Sequence, residues 1–280
     1  MFHISILTPS LNAGPWLACC AASVADQATA GLAVTHLIHD GGSQDGSLQT
    51  LPAGPGLTVV SAPDRGMYDA LNQAWARTAG DYVGLLNADE QYLPGALAEV
   101  VAEFQRRPQI DVLYTGFFVV DAQFTPLCYR RPLLPSARFV ALDHLPVFTC
   151  ATFLRRASFS RWPQLFDTRY RAASDADWFI RMRHAGMRMG ILDTFTSVFV
   201  LDGRNLSLRP EHAVECRQIR DQYASGWRWS KSLVKKVHHL RKKYHGHYAP
   251  VSASVAVYHD PTGPRVTQTL SVTGHWPVRT

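Results

Sequence analysis

The sequence predicts an α/β fold with a mostly parallel central sheet covered by helices on both faces. In the first half of the chain, short β-rich runs alternate with helical runs, which is the pattern of a doubly covered parallel sheet. Polar residues cluster where the predicted strands end. The 280 residues are 46% hydrophobic and 18% charged, a composition that rules out a disordered or fibrous chain. The length suits one large domain, alone or with an appendage.

The elements of the first half follow from local patterns. Apolar β-rich runs predict strands, and helical runs that open with proline or end before glycine predict helices. Gly80 is expected to close the second helix through a left-handed cap. The predicted strands are residues 3–8, 34–39, 57–61 and 82–86, and the predicted helices are residues 15–27, 67–79 and 94–107.

The second half is less regular. Residues 111–120 and 124–130 are expected to form a strand pair, and residues 188–201 a further strand. Ser174 and Asp177 resemble a capping box at the start of a helix that Gly186 ends. Later elements are a helical stretch over 211–244, broken near Gly226, and a hairpin over 251–273 that turns at 260–263. We therefore expect a main domain over 1–205, a helical segment over 206–245 and a β-like tail over 246–280.

The positive charge is concentrated in one segment. The chain has a formal net charge of +6, and residues 228–245 contain seven Lys and Arg and no acidic residue. The segment is either a solvated surface helix or a contact with an anionic membrane. Nucleic acid is not an expected partner, because no nucleic-acid motif accompanies the cations. Apolar residues recur among these cations at helical spacing: Trp227, Trp229, Leu233, Val237, Leu240 and Tyr244.

The cysteines and the first residues of the sequence indicate the cellular compartment to expect. Five cysteines with no CxxC spacing argue against a disulfide framework or a zinc site. The first residues have no basic stretch before an apolar run, and no run of 18 apolar residues occurs. The sequence therefore predicts a cytoplasmic protein, with the alternative of peripheral attachment to the inner face of the membrane.

Acidic residues follow the predicted strands. They are Asp40 and Asp45 in DGGSQDGS, Asp64 in APDRG, and Asp89 and Glu90 in LLNADE. Carboxylates in such loops suit Mg²⁺ or Mn²⁺ shared with a diphosphate, because hard cations prefer oxygen ligands. The alternative for any single cluster is that its acids only shape a turn. Several clusters at successive strand ends favour the metal and ligand hypothesis.

Four segments in series resemble the inverting family 2 nucleotide-sugar glycosyltransferases of the GT-A type. These segments are ISILTPSLN, HDGGSQDGS, SAPDRGMYDALNQAWARTAGDYVGLLNADE and FDTRYRAASDADWFIRMRHAG. The similarity covers roughly residues 3–190, in the order that the family shows, and is most marked to enzymes of bacterial exopolysaccharide, colanic-acid-type and lipopolysaccharide assembly. It implies a single Rossmann-like nucleotide-sugar domain, Mg²⁺ or Mn²⁺, a nucleotide-sugar donor, and a glycan or lipid-linked acceptor.

The resemblance also implies roles for loop residues on the donor side. Thr8, Pro9 and Ser10 match the first loop, beside the nucleotide, and Asp40 matches the acid that binds the base. Asp64 and Arg65 match the third loop, also near the nucleotide. Asp69 and Asn72 lie on one helix face and are expected either to line the sugar pocket or to be exposed helix residues.

The resemblance places the chemistry at two carboxylates. Asn87-Ala88-Asp89 occupies the Asp-x-Asp position, with Asn in place of the first Asp, so Asp89 is the expected metal ligand and Asn87 or Glu90 a helper. Asp175 matches the catalytic base, and Asp177 is the competing candidate with a capping role as its alternative. Trp178, beside the base, is expected either to stack on sugar or to pack in the core.

One loop departs from the family pattern. Where many relatives carry a His before Thr-Phe, this chain has Thr149 or Cys150, and His144 is nearby but offset. A metal or diphosphate contact from this loop is therefore not expected with the usual residue.

Three functions remain as sequence hypotheses. The first is inverting sugar transfer in cell-surface polysaccharide synthesis. The second is nucleotidyl transfer, although TPSLNAGP lacks the basic residue that such loops need. The third is a non-catalytic relative that binds glycan or membrane.

Overall fold

The computed structural model describes residues 1–52 and 54–276. Within them, nine strands form one sheet in the order β3-β2-β1-β4-β8-β6-β9-β5, with β7 paired to β6, and a separate two-stranded hairpin follows. The strands are β1 (Phe2–Ser10), β2 (Leu32–Asp40), β3 (Leu57–Ser61), β4 (Tyr82–Leu85), β5 (Gln91–Tyr92), β6 (Val112–Val120), β7 (Pro126–Arg130), β8 (Thr152–Arg155), β9 (Met189–Val200), β10 (Val251–Val257) and β11 (Val266–Val272).

Most strands of the large sheet run in one direction. Strands β1 to β4 are mutually parallel, and β6 and β9 are parallel to each other. Strand β8 is antiparallel to both β4 and β6, so it joins the two groups and leaves β6 and β9 running the same way as β1. The carboxyl ends of β1, β3, β4 and β9 therefore lie at one edge of the sheet, as the predicted mostly parallel sheet requires.

Helices cover both faces of the sheet, and each face has its own apolar core. Residues of α2, α4 and α5 pack on one face, where Trp75, Phe159 and Phe179 are buried. Residues of α1 and α3 pack on the other face around Phe104 and Phe153. The helices are α1 (Trp16–Ala25), α2 (Met67–Trp75), α3 (Ala96–Arg106), α4 (Ala137–Leu142), α5 (Ser174–His184), α6 (Pro210–Ala224) and α7 (Lys231–Tyr244).

Two predictions about helix ends, the cap at Gly80 and the cap at Ser174, are wrong. Helix α2 ends at Trp75, not at residue 79, and Gly80 does not have a positive φ. Gly80 serves a different purpose: a Cβ there would lie 2.7 Å from Ser5 Oγ, so only glycine permits this approach to β1. Ser174 does not cap α5, because its Oγ donates instead to the Asp167 carbonyl.

The helical segment and the hairpin form as predicted and pack on the main body. A 3₁₀ turn over Ser225–Ser230 separates α6 from α7, at the predicted break. Strands β10 and β11 pair antiparallel, and Ala253, Val255 and Val257 pack against the sheet beside Tyr129.

Three shorter elements, β5, β8 and α4, were not predicted, because their runs are too short for a periodic signal. In the described part of the chain, no helix is both long and apolar enough to cross a membrane.

Candidate active site

A cavity of about 620 Å³ opens at the carboxyl edge of the sheet. Its walls include Pro9 and Ser10 from the end of β1 and Asp64 after β3. Helices α4, α5 and α6 close the other side. Further lining residues come from the loops after β4 and β9 and from the helices: Asn87, Ala88, Asp89, Asp202, Arg204, Val140, Asp175, His212 and Ile219. The loops after four strands that run the same way thus face three helices across one space.

Asp89 lies in the cavity wall directly after β4. Burial raises the pKa of its carboxyl, the nearby negative charge of Asp202 raises it further, and the positive charge of Arg204 lowers it. A partly buried carboxylate close to another acid would be stabilised by a bound cation. The surroundings of Asp89 therefore favour the binding of a cation.

Glu90 points away from this space. It is fully buried, and its Oε2 accepts a hydrogen bond of 2.7 Å from the Asn87 backbone N–H. Burial raises the pKa of Glu90 as well. Its side chain fastens the turn that presents Asn87 and Asp89 to the cavity.

Asp175 lies in the first turn of α5 and lines the same cavity. Its Oδ1 accepts a hydrogen bond of 2.9 Å from the Ala176 backbone N–H. Burial raises the pKa of Asp175, while hydrogen bonding from Tyr68 and the charge of His212 oppose the rise. A carboxyl with a raised pKa is a stronger base than an ordinary aspartate, which suits proton acceptance near neutral pH.

Asp177, the competing candidate, is occupied by structural partners. Arg181 donates to its Oδ2 at 2.6 Å, and the Tyr223 hydroxyl donates to its Oδ1 at 2.7 Å. Asp177 is buried and lies outside the cavity. It ties α5 to α6, so Asp175 is the carboxylate of this turn that faces the site.

Glu215 holds the start of α5 in place. Its carboxylate, on α6, accepts hydrogen bonds of 2.7–2.8 Å from the backbone N–H groups of Arg171, Ala172 and Ala173. These donors immediately precede the turn that carries Asp175. A buried carboxylate at this position satisfies three backbone N–H groups that precede the helix, and its negative charge lies at the positive end of the helix dipole.

In the first two loops, one residue lines the site and others support it from behind. Ser10 Oγ is buried at the cavity and has no hydrogen-bond partner among the described residues. Thr8 is fully buried behind it, and its Oγ1 lies 2.8 Å from His36 Nε2. Asp40 accepts from the N–H groups of Gly42 and Ser43 and from two serine hydroxyls. Asp40 is fully buried and its contacts are internal, so it shapes the loop that follows β2.

Asp64 reaches the cavity, whereas its neighbour Arg65 turns outward. Asp64 Oδ1 accepts from the Gly66 N–H at 2.8 Å, and Oδ2 lies 3.8 Å from His39 Nε2. The Arg65 side chain is 66% exposed and pairs with Asp69 at 3.0 Å. Neither Arg65 nor Asp69 lines the cavity.

Asn72 and Trp178 lie in the core and not at the cavity. Asn72 Oδ1 accepts from the N–H groups of Leu165 and Phe166, and its Nδ2 donates to the Phe166 carbonyl at 2.8 Å. Trp178 is 3% exposed, and its ring lies 4.8 Å from that of Phe166. Of the residues singled out in the sequence, the structure brings together Pro9, Ser10, Asp64, Asn87, Asp89 and Asp175, and His144 and Thr149 of the loop that departs from the family pattern also line the cavity. It leaves outside Thr8, Asp40, Arg65, Asp69, Asn72 and Trp178.

Sequence reasoning missed several residues that line the site. Asp202 and Arg204 follow the predicted strand over 188–201, so the strand-end rule could have found them. His212 lies at the start of α6, and its charge acts on Asp175. Trp276, near the C-terminal end of the described chain, also lines the cavity, and no local sequence signal indicates this.

The donor set for a metal is incomplete in the protein alone. Among residues 1–52 and 54–276, no three His, Cys, Asp or Glu side chains come together as a metal site. Asp89 nevertheless offers hard oxygen atoms at the cavity, whereas both carboxylate oxygens of Asp202 accept hydrogen bonds from Arg204. Magnesium is commonly held by one or two carboxylates together with substrate phosphates, and the residues present fit that mode.

The chain resembles sugar-polymer synthases over part of their length. It is 23% identical to the chondroitin synthase of Pasteurella multocida over 218 residues, 74% of this chain and 21% of that protein. It is 25% identical to the chondroitin synthase of Escherichia coli over the same length, 30% of that protein. It is 40% identical to the O-antigen biosynthesis protein RfbC of Myxococcus xanthus over 67 residues, 24% of this chain and 5% of that protein. The chain therefore spans less than a third of these relatives.

Solved structures share the fold at low identity. TarS of S. aureus in complex with UDP-GlcNAc superposes with a TM-score of 0.59 at 18% identity, covering 86% of this chain and 72% of that one. The mannosyltransferase PcManGT of Pyrobaculum calidifontis, in complex with GDP-Man and Mn²⁺, has a TM-score of 0.52 at 20% identity, covering 77% and 60%. These likenesses show the expected GT-A fold. The model of glycosyl transferase family 2 matches residues 5–162, more than half of the sequence, and the chain belongs to this family.

Proposed function

We propose that the chain transfers a sugar from a nucleotide-diphosphate donor to a hydroxyl group of an acceptor, with inversion at the transferred carbon. The single observation that carries this proposal is that Asp89 and Asp175 line one cavity. One carboxylate comes from the strand edge, the other from a helix across the cavity. A donor between them would present its diphosphate to the first and its sugar to the second.

The donor side supplies polar groups at three strand ends. The buried Ser10 hydroxyl has no hydrogen-bond partner within residues 1–52 and 54–276, and Asp64 and Asn87 line the same wall. Arg204 adds a cation on the side of Asp89. Hydrogen-bond donors and a guanidinium suit an anionic diphosphate. The structural neighbours bound to UDP-GlcNAc and GDP-Man support a nucleotide sugar as the donor.

Asp175 is the proposed general base. The acceptor hydroxyl gives its proton to the Asp175 carboxylate while its oxygen forms a bond to the anomeric carbon. The bond from that carbon to the diphosphate oxygen breaks, and the nucleoside diphosphate leaves with the electron pair. Attack opposite the leaving group inverts the carbon. The raised pKa of Asp175 favours proton acceptance at this step.

Asp89 would hold Mg²⁺ or Mn²⁺ together with the donor diphosphate, and Asp202 would hold Arg204 beside it through hydrogen bonds to both carboxylate oxygens. When bound, such a cation offsets negative charge on the departing phosphate. The protein's own residues position the donor: the Asn87–Glu90 contact fixes the turn, and Arg204 neutralises part of the local negative charge. The chondroitin synthases and the O-antigen biosynthesis protein support polysaccharide synthesis. The proposed acceptor is a glycan or a lipid-linked sugar.

The test measures the products of purified protein supplied with UDP-, GDP- and dTDP-sugars and Mn²⁺. We expect one donor to raise the melting temperature and to release nucleoside diphosphate. Asp175→Asn should lose turnover by at least a hundredfold and keep the donor-induced shift. Asp193→Asn, an exposed aspartate outside the cavity, is the matched control and should keep full turnover.

Different products would contradict the proposal. Full turnover in Asp175→Asn would remove this residue from the reaction. Release of pyrophosphate would indicate nucleotidyl transfer. Glycan binding with no nucleotide affinity would indicate a non-catalytic protein.

A further inference from the structure

A continuous apolar stripe lies exposed on the 3₁₀ turn and helix α7. Trp229 is 75% exposed, Leu233 60% and Tyr244 87%. The members of this stripe, named the α7 stripe below, are Trp227, Trp229, Leu233, Val237, Leu240 and Tyr244. Large apolar side chains that cluster at the surface indicate an interaction site, whereas single ones do not.

The opposite face of α7 anchors the helix to the body. His238 is buried, and its ring stacks on Phe139 of α4 with centroids 3.9 Å apart. Lys235 pairs with Asp143 at 3.1 Å on the same side. The stripe residues 233, 237, 240 and 244 follow the helical repeat and form a line that this packing leaves uncovered.

Cations flank the stripe. At 100° per residue, Lys236 and Lys243 lie on one side of the line and Arg241 on the other. The exposed guanidinium of Arg138 lies 3.7 Å above the ring of Trp227 at the end of the stripe. The segment 228–245 contains seven Lys and Arg and no acid, more than the whole chain's net charge of +6. The apolar line is therefore bordered by positive charge on both sides.

We propose that the α7 stripe docks on an anionic lipid bilayer. The stripe would enter the interface while Lys236, Lys243 and Arg241 contact acidic headgroups, which is the arrangement of an interfacial amphipathic helix. A second copy of the chain fits less well, because seven cations on each copy would repel. Nucleic acid fits less well, because it would contact the cations and leave six apolar side chains in water.

Docking would bring the membrane close to the cavity. Helix α4 packs on α7 through Phe139, and the residues from Val140 to Leu145 line the cavity on the other side of that helix. Helices α7 and α4 therefore lie between the bilayer and the site. This step rests on the proposed function and suggests an acceptor with a lipid anchor, whereas the docking itself does not depend on catalysis.

The test is co-sedimentation of the full purified chain with vesicles of phosphatidylcholine, with or without 30% phosphatidylglycerol. We expect binding to the anionic vesicles at least tenfold tighter than to the neutral ones, and weaker at 0.5 M salt. Leu233→Ser with Leu240→Ser should weaken binding at least tenfold, as should Lys236→Glu with Lys243→Glu. Val266→Ser with Leu270→Ser removes similarly exposed apolar residues from the hairpin and should leave binding unchanged.

Several outcomes would overturn the proposal. They are equal binding to both vesicles, full binding by the stripe variants, or an equal loss in the hairpin control. A dimer in analytical ultracentrifugation that the stripe variants dissolve would assign the stripe to self-association. Binding to a nucleic acid duplex that excludes vesicles would assign the cations to that partner. Nucleoside diphosphate release, measured with no vesicles present, should be unchanged in the stripe variants, so failure of docking and failure of the proposed function are distinguishable.

Discussion

Removing the Glu215 carboxylate should destabilise the turn that presents Asp175. The carboxylate accepts hydrogen bonds from three backbone N–H groups. Ala172 and Ala173 are buried, and Arg171 is exposed. In Glu215→Ala, the two buried donors lose their acceptor at about 1–3 kcal/mol each, while the third turns to water. We therefore expect a loss of about 4 kcal/mol in the free energy of unfolding.

Glu215→Gln separates hydrogen bonding from charge. Oε2 alone accepts from Ala172 and Ala173, so a glutamine oxygen in its place keeps both buried bonds. Neutral bonds replace charge-assisted ones, and we expect a loss of about 1.5 kcal/mol. Glu211→Gln, an exposed glutamate on the same helix, should change stability by less than about 0.5 kcal/mol.

The assay is urea unfolding followed by tryptophan fluorescence, with the slope checked for each variant. A loss below about 1 kcal/mol in Glu215→Ala would refute the argument. An equal loss of unfolding free energy in Glu215→Gln and Glu215→Ala would also refute it, because the two hydrogen bonds that glutamine keeps would then contribute nothing.

Three further predictions concern residues that support the site from behind. Burial lowers the pKa of His36 to about 3, so only the unfolded chain binds a proton at this residue as the pH falls through about 6.5. Between pH 7 and 5 the unmodified chain should therefore lose about 2 kcal/mol of unfolding free energy that His36→Gln does not lose, measured by urea unfolding at each pH. The same dependence of unfolding free energy on pH in both proteins would contradict this. Asn72→Leu removes the acceptor of the Leu165 and Phe166 N–H groups and should lower the free energy of urea unfolding by about 3 kcal/mol, with the donor KM unchanged. A raised KM in a variant of full stability would instead support a contact between Asn72 and the sugar. Gly84→Ala places a Cβ within 2.6–3.1 Å of three side chains and should lower the free energy of thermal unfolding by about 2 kcal/mol. The control Gly31→Ala adds its Cβ in open space and should not change stability. Equal effects of the two substitutions would refute the explanation by steric crowding.

The candidate site divides into residues that local pattern could locate and residues whose role needed the fold. Asp89 and Asp64 follow predicted strands, and carboxyl ends of parallel strands meet at one edge, so their convergence was predictable. Asp40 follows the same rule, yet its carboxylate accepts hydrogen bonds from Gly42 and Ser43 of its own loop and from Ser61 at the end of β3. The rule predicts position along the chain and says nothing about which groups fill a carboxylate's acceptor sites.

The fold itself was predictable to a large extent, because strands and helices of the first half have strong periodic patterns and turn residues between them. The order of the strands was not, since β8 inserts between β4 and β6 from far along the chain. Residues 277–280 of the predicted tail lie outside the described residues. The division into three segments stays a prediction.

The sequence by itself determined the alternation of strands and helices, the polar strand ends, the basic segment and the family resemblance. These are local properties, set by neighbouring residues and by chain periodicity. Only the tertiary structure decided that Asp175 faces the cavity while Asp177 is held by Arg181 and Tyr223, and that Trp276 lines the site from the C-terminal side. The physical reason is that exposure and hydrogen-bond partners depend on residues distant in sequence, which no local pattern specifies.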